Sequence, residues 1–437
     1  MMFIFVTPDL YLLGSVLVIV GVTCLGSSFV LLNSFLPLLA SNHPSVTSQG
    51  GEGSGSMPLH SMGFANDADT RPSPFSNSAA EQSGTAVPEL ALSTKISSKG
   101  VGIGYAAAVG VQVLSILLLF GLSKVHFASG SVPLRVVLLL VGIWWAAFTL
   151  PCAWWLRDRP GPPLGSALGR KTRFGRIFAY ISFAWSSVWK TVTVAVKLRQ
   201  TVIFLIAWFL LSDAIATVSG TAILFARTEL HMATVPIAIL SITVTTCGIA
   251  GAFVWPMISR KYNLATHHTI IACMCLLQIV PIYGLIGYLP FIKAWGVGGL
   301  QQAWEIYPLG VVFGFVMGGL SSYCRSFYGQ LIPPGSEAAF YALYAITDKG
   351  SSAVGPAIVG MIVDATGTIR PAFGFLAILI ALPIPLIMLI DTEKGRADAV
   401  SIAGTLGKTT NNGYERASTA DGDEEDAEGL LTRGRRD

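Results

Sequence analysis

Nine times between Tyr11 and Ile390 the chain passes through a nearly uninterrupted apolar run of helical length. A hydrocarbon core of about 30 Å takes roughly 20 such residues to cross. The runs cover approximately Tyr11–Ala40, Lys99–Leu122, Pro133–Leu156, Val202–Ala226, Val235–Ile258, His268–Leu289, Tyr307–Ile332, Ala338–Val363 and Pro371–Ile390. A closed β-barrel also satisfies its backbone in lipid, but its strands alternate apolar and polar residues, and these runs do not. An all-α, polytopic membrane helix bundle of about nine transmembrane helices is therefore expected. Composition agrees, with 52% hydrophobic and only 12% charged residues among 437, half the charge of a soluble domain.

The connections differ in character. Residues 41–98 are rich in Gly, Ser, Pro and Asn, as in "SQGGEGSGSMPLHSMG", and read as a disordered loop. Residues 157–199 instead hold nine Lys and Arg against one acid, Asp158. Within them Ile177, Ile181, Trp185, Val188 and Val192 recur at helical spacing, which predicts an amphipathic helix lying on the membrane surface or packed against the bundle. Loops rich in Lys and Arg stay in the cytosol, so this basic loop orients the chain. Alternation then places residues 41–98, the Arg260–Lys261 turn and the C-terminus in the cytosol. Lys124, Arg227, Lys293 and Arg370 fall singly in the opposite loops. The net charge of +4 thus reports topology and not a nucleic-acid surface.

A duplicated pattern links the two ends of the chain. Gly26, Asn33, Ser34, Phe35 and Leu39 have the same offsets as Gly318, Arg325, Ser326, Phe327 and Leu331. Ile96, Lys99, Gly100, Ala107, Val109 and Gly110 match Ile346, Lys349, Gly350, Ala357, Val359 and Gly360. Spans seven and eight therefore correspond to spans one and two, as in transporters built from repeated halves. On this reading residues 1–156 are a partial N-terminal half of three helices, 157–199 the basic inter-half loop, 200–392 a six-helix C-terminal half and 393–437 a disordered acidic tail. Three helices preceding span one are expected to be missing, with "MMFIFV" the stub of the last of them.

The segments "TCLGSSFVLLNSFLPLL", "SSKGVGIGYAAAVGVQ", "GIWWAAFTLPCAWWLRDRPGP", "SDAIATVSGTAILFA" and "LIPPGSEAAFYALYAITDKGSSAVGP" carry a resemblance. Together they are similar to the fungal autophagy-related vacuole effluxers, a branch of the major facilitator superfamily. The likeness extends from Pro8 to Asp398, except for the two loop interiors. It implies a multi-pass transporter of the vacuole membrane that exports amino acids, leucine and similar ones, after autophagic degradation. The other readings are a non-transporting membrane scaffold or regulator in autophagy, and a truncated inactive transporter.

Charges near the bilayer centre cost about 2.5–3.5 kcal/mol each on insertion scales, so they mark candidate sites. Asp213 lies in span four with Thr217 a turn away, Arg325 in span seven, and Asp348 and Lys349 in span eight. Lys99 and Asn33 are the repeat mates of Lys349 and Arg325. Tyr341, Tyr344, Asp348, Ser351 and Gly355 share one helix face. As consecutive residues, Asp348 and Lys349 point apart and are expected to seek partners on other helices, Arg325 being the natural one for Asp348. An amino acid's ammonium would suit Asp213 or Asp348, and its carboxylate Lys349 or Arg325. An Asp in apolar surroundings is also suited to carry a coupling proton. The competing role is inter-helix salt bridging, or for Asp213 that of a satisfied structural acid. Gly350, Gly355 and Pro356 allow the helix to bend.

Other features point to packing or trafficking. "GVGIGYAAAVG" sits inside an apolar run with no preceding strand, so it is a helix-packing surface and not a nucleotide loop. Cys24, Cys152, Cys247, Cys273, Cys275 and Cys324 all lie in or beside apolar runs, and neither they nor His267 and His268 form a metal set. No cofactor is implied, and no nucleophile and base converge as an enzyme would need. In the tail, Asp426, Leu430 and Leu431 fit an acidic dileucine sorting signal for a trafficking adaptor, or simply a solvated tail.

Overall fold

A computed structural model describes Met2 and residues 11–41, 78–123, 132–155 and 173–404. Among the described residues every regular element is helical. The order is α1 (Tyr11–Ser41), α2 (Ser78–Ser123), α3 (Val132–Trp155), α4 (Arg173–Lys197), α5 (Arg199–Thr228), α6 (Thr234–Lys261), α7 (Thr266–Leu277), α8 (Ile279–Ile286) and α9 (Pro290–Trp295). After a single 3-10 turn come α10 (Ile306–Gln330), α11 (Glu337–Ser351), α12 (Val354–Thr366), α13 (Ala372–Ala381) and α14 (Pro383–Met388). A last helix, α15, spans Thr392–Gly404, which corrects the expectation of a disordered tail from residue 393 at its start.

Among the described residues, seven stretches are long and apolar enough to cross a membrane, and an eighth is counted if the bent pair Ala372–Met388 and Thr392–Gly404 forms one span. The sequence suggests nine, and the difference lies in proline. Pro356 has no N–H to give to the carbonyl of Ser352, and its ring crowds that carbonyl. The run Ala338–Val363 accordingly divides, α11 ending at Ser351 and α12 starting at Val354. Pro383 and Pro385 divide the following run in the same way.

The loop expectation for residues 41–98 needs correction at its end, because α2 is already helical from Ser78. Composition misled there. Ser93, Thr94, Ser97 and Ser98 are a polar helix face buried against α10, where Thr94 and Ser326 share a 2.9 Å hydroxyl contact and Ser97 donates to the Ser322 carbonyl at 3.1 Å.

α6 and α10 approach each other closely. A Cβ at Gly314 would strike the Val244 carbonyl, and one at Gly318 the Gly248 carbonyl. Bare backbone therefore meets bare backbone, the packing that small residues permit between helices in lipid. Against this pair lies α2, with Tyr105 on Gly248 and Phe253 on Gly102.

Two contacts have the arrangement that the expected duplication would give. α1 packs on α11, and α2 packs on α10. Under the repeat α1 corresponds to α10 and α2 to α11, so each contact is the image of the other. α3 touches α2 and buries none of its residues, leaving Leu134, Phe148 and Leu150 exposed.

At one end of the bundle a short loop is built around a carboxylate. Glu305, 1% exposed, accepts the backbone N–H groups of Gly298, Leu300, Gln301 and Gln302 and the Tyr283 hydroxyl. Arg370 donates to the Gly299 and Leu300 carbonyls from the other side.

Candidate functional site

α5 carries Phe204, Trp208 and Ser212 at four-residue intervals, so they share a face, and that face meets α10 and α11. Trp208 stacks on Tyr344 with centroids 4.7 Å apart, and Phe204 stacks on Tyr328 at 5.5 Å. Tyr341 completes the aromatic group edge-on to Tyr328 at 5.6 Å. The tyrosines are anchored through their hydroxyls, Tyr328 to the Phe340 carbonyl at 2.9 Å and Tyr341 to the Arg325 carbonyl at 3.1 Å.

Below this aromatic wall, two consecutive residues of α5 straddle the break between α11 and α12. The Ser212 hydroxyl donates to the Asp348 carboxylate at 2.6 Å, near the end of α11. The Asp213 carboxylate, 2% exposed, accepts the N–H of Gly355 at 2.9 Å in the first turn of α12. A helix N-terminus offers free N–H groups and a partial positive charge, so an anion is stable there. Thr217, fully buried, donates to the Asp213 backbone carbonyl at 2.6 Å and keeps its side chain against Gly355. Gly355 has no room for a side chain: a Cβ would lie 3.0 Å from both Asp213 oxygens and would strike Thr217 Oγ1.

The expected charge pairing is overturned. Asp348 binds its own neighbour, with Lys349 Nζ 2.9 Å from Oδ2, although Lys349 is 77% exposed. The spacing argument considered only where each Cβ points, whereas a lysine stem is long enough to turn back over one residue. Arg325 lies 5.4 Å above the Phe29 ring of α1, a cation–π contact with the opposite repeat, and not beside Asp348. Its mate Asn33 is buried on α1 with Nδ2 lacking a hydrogen-bond partner, and Trp208 Nε1 on α5 is in the same condition. Lys99 is exposed on α2. Gly350 lies two residues before the break and Pro356 three after it. Asp426, Leu430 and Leu431 lie outside the described residues. Among the described residues no group of three His, Cys, Asp or Glu is arranged to hold a metal ion.

A family model described as "Vacuole effluxer Atg22 like" matches residues 1–400. The chain belongs to that family. It is 58% identical to Autophagy-related protein 22 of Botryotinia fuckeliana over 441 residues, covering 99% of this chain and 73% of the relative. Autophagy-related protein 22-2 of Neosartorya fischeri is likewise 58% identical over 449 residues, and that of Aspergillus oryzae 55% over 448, each with the same coverage. Membership places this bundle among the vacuolar effluxers, transporters with a major-facilitator-like fold. The resemblance read from the sequence is thereby established.

Sequence reasoning missed Ser212, Trp208, Phe204 and Tyr328. A signal was present for the first three, since Phe204, Trp208 and Ser212 fall on the same face as Asp213's neighbouring turn. Neutral residues such as Thr217 and Tyr344 stand out only where they share a stripe with a charge, which Phe204, Trp208 and Ser212 do not.

Proposed function

We propose that the chain is a multi-pass effluxer of the vacuole membrane that releases amino acids, leucine and similar ones, into the cytosol after autophagic degradation. The family's description supports the compartment and the efflux, and the relatives' names the link to autophagy. The observation that carries the site is the Ser212–Asp213 pair, which binds both sides of a broken helix. A helix start held by a buried carboxylate presents, once that contact opens, the two groups that a free amino acid needs. Its carboxylate takes the Gly355 N–H, and its ammonium takes the Asp213 carboxylate that this exchange releases. The Trp208–Tyr344 stack supplies an apolar wall for the side chain. Binding thus trades the Asp213–Gly355 contact for contacts to substrate, and α12 is freed to tilt about the break. Broken helices of this kind serve at the midplane sites of many secondary transporters. The residues 157–199, the Arg260–Lys261 turn and the C-terminus face the cytosol in this reading, and the Glu305 loop faces the vacuole lumen.

The test uses vacuoles isolated from starved cells whose own effluxers are deleted and which express this chain, loaded with radiolabelled leucine. Leucine leaves such vacuoles faster than it leaves those of the empty strain, and Asp213→Asn or Asp348→Asn removes the difference with delivery to the vacuole unchanged. Equal efflux with and without the chain overturns the transport reading and favours a membrane scaffold. Normal efflux by both variants moves the site elsewhere.

A further inference from the structure

α4 is 25 residues long, enough to cross a membrane, yet among the described residues it is not one of the stretches apolar enough to do so. It joins the span α5 through Leu198 alone, a buried residue whose non-helical backbone (φ −93°, ψ 85°) separates the two helices. The last turn of α4 therefore sits at the end of a membrane span. Three rows of side chains run along it. Ser187, Thr191 and Ala195, one turn apart, are half-buried or buried, and α4 packs on α5 and α11. Phe178, Ile181, Trp185, Trp189 and Val196 form an apolar row that is 61–75% exposed. Ser182, Ser186, Lys190, Thr193 and Lys197 form a polar row, exposed as well. At 3.6 residues per turn these rows divide the circumference into three sides. The single apolar stripe expected from the sequence is thus split, Val188 and Val192 being half-buried while Ile181 and Trp185 are exposed. Tyr180 and Phe183 add two further exposed rings toward the start of the helix.

An uncovered apolar row with two tryptophans marks an interaction surface. Because α5 begins one residue after α4 ends, the apolar medium within reach is the bilayer, at the boundary between acyl chains and headgroups. An indole there buries its rings and keeps its N–H wet. The polar row stands about a quarter-turn from the apolar one, as in a helix that lies in that boundary. Its charge has a single sign. Residues 159–212 hold eight Lys and Arg and no Asp or Glu. Of these, Lys190, Lys197 and Arg199 are exposed beside the span, and among the described residues none of the three is in an ion pair. A neutral bilayer would receive the apolar row equally well but would give these cations no counter-charge. We infer that α4 is a binding site for anionic lipid: its tryptophan row enters the acyl–headgroup boundary, and Lys190, Lys197 and Arg199 hold the negatively charged headgroups. Each basic residue near such a surface is worth about fivefold in binding.

The experiment uses the full chain, one copy per lipid nanodisc, in phosphatidylcholine alone and in phosphatidylcholine mixed with phosphatidylserine. Ile181→Cys and Ser186→Cys, made separately, are reacted with a charged maleimide and read on the peptide that contains the new thiol. Position 186 should react at least tenfold faster than position 181 in both lipids, although the protein covers neither. Similar rates put the apolar row in water and overturn the inference. Protection of position 181 only when two copies share a disc makes the row a self-association face, which overturns it too. Hydrogen exchange of residues 182–197 should slow at least fivefold when phosphatidylserine is added, and high salt should reverse the slowing. Lys190→Gln with Lys197→Gln should remove that slowing while exchange in α10 stays as in the parent, and Lys190→Arg with Lys197→Arg should keep it. Equal exchange in the two lipids, or full slowing in the double glutamine variant, overturns the inference. Neither measurement involves a transported substrate, so failure here leaves the transport reading where it stands, and absence of efflux leaves the lipid site where it stands.

Discussion

Gly355 and Gly350 lie five residues apart on either side of one break, and the structure gives them opposite tolerances. Alanine at Gly355 puts a methyl group 3.0 Å from both Asp213 oxygens and into Thr217 Oγ1. The protein can move the carboxylate off the Gly355 N–H, losing a hydrogen bond to a charged group worth about 1.5–3 kcal/mol. It can instead keep the bond and overpack the interface, at about 1–3 kcal/mol. Because the protein relaxes along whichever mixture of the two costs less, the net destabilisation is about 1–3 kcal/mol. At Gly350 nothing lies within 4 Å of the added Cβ. Alanine there only raises helix propensity, a gain of about 0.5–1 kcal/mol. Cys273 and Cys324, both buried, supply the assay: a thiol-reactive coumarin reports their exposure as purified protein unfolds in detergent. Gly355→Ala should melt well below the parent and Gly350→Ala at or above it. Thr217→Ala in the Gly355→Ala background should recover part of the loss, since the struck hydroxyl is gone. If Gly355→Ala melts with the parent and transports normally, α12 does not rest on Asp213 and the reasoning about the broken helix fails.

Three further outcomes follow from other contacts. Trp208→Ala removes the ring stacked on Tyr344 and leaves a cavity, which should cost about 3–5 kcal/mol in the same assay; a change below about 1 kcal/mol would mean that the stack is not formed. Glu305→Gln keeps the shape but not the charge that four backbone N–H groups surround, so hydrogen exchange across 296–302 should speed up while that of α10 stays unchanged. The Lys394 side chain hydrogen-bonds Asp391 and holds its carboxyl below its ordinary value of 3.8. Its support for the start of α15 is thus fully present above that value and is lost as pH falls through the lower folded one. At pH 7 Asp391→Asn should speed exchange in residues 392–404, and an unchanged rate would show that the cap is idle.

The apolar runs were legible because lipid leaves few choices: a backbone that must bond within itself over about 30 Å becomes helical. The expected duplication rests on sequence as well, on the offsets that Gly26 to Leu39 share with Gly318 to Leu331. Contacts between helices were much less legible. Nothing in sequence order says that Ser212 meets Asp348, 136 residues away, or that Arg325 rests on Phe29. The Asp348–Lys349 pair was misread through directions alone, because flexible stems escape a rule made for Cβ positions. The α6–α10 contact had a readable sign in Gly310, Gly314 and Gly318 at four-residue spacing, but many glycines elsewhere in the chain meet nothing.

The polar face of α2 has a consequence for biosynthesis. Thr94 emerges 232 residues before Ser326, and Ser97 emerges 225 before Ser322. At translation speeds of about 5–20 residues per second, that gap lasts roughly 10–45 s. Throughout it, the Thr94 and Ser97 hydroxyls on a newly made helix lack their final partners. A ribosome stalled between residues 100 and 320 would leave both hydroxyls without those partners, and such stalling should expose α2 to degradation.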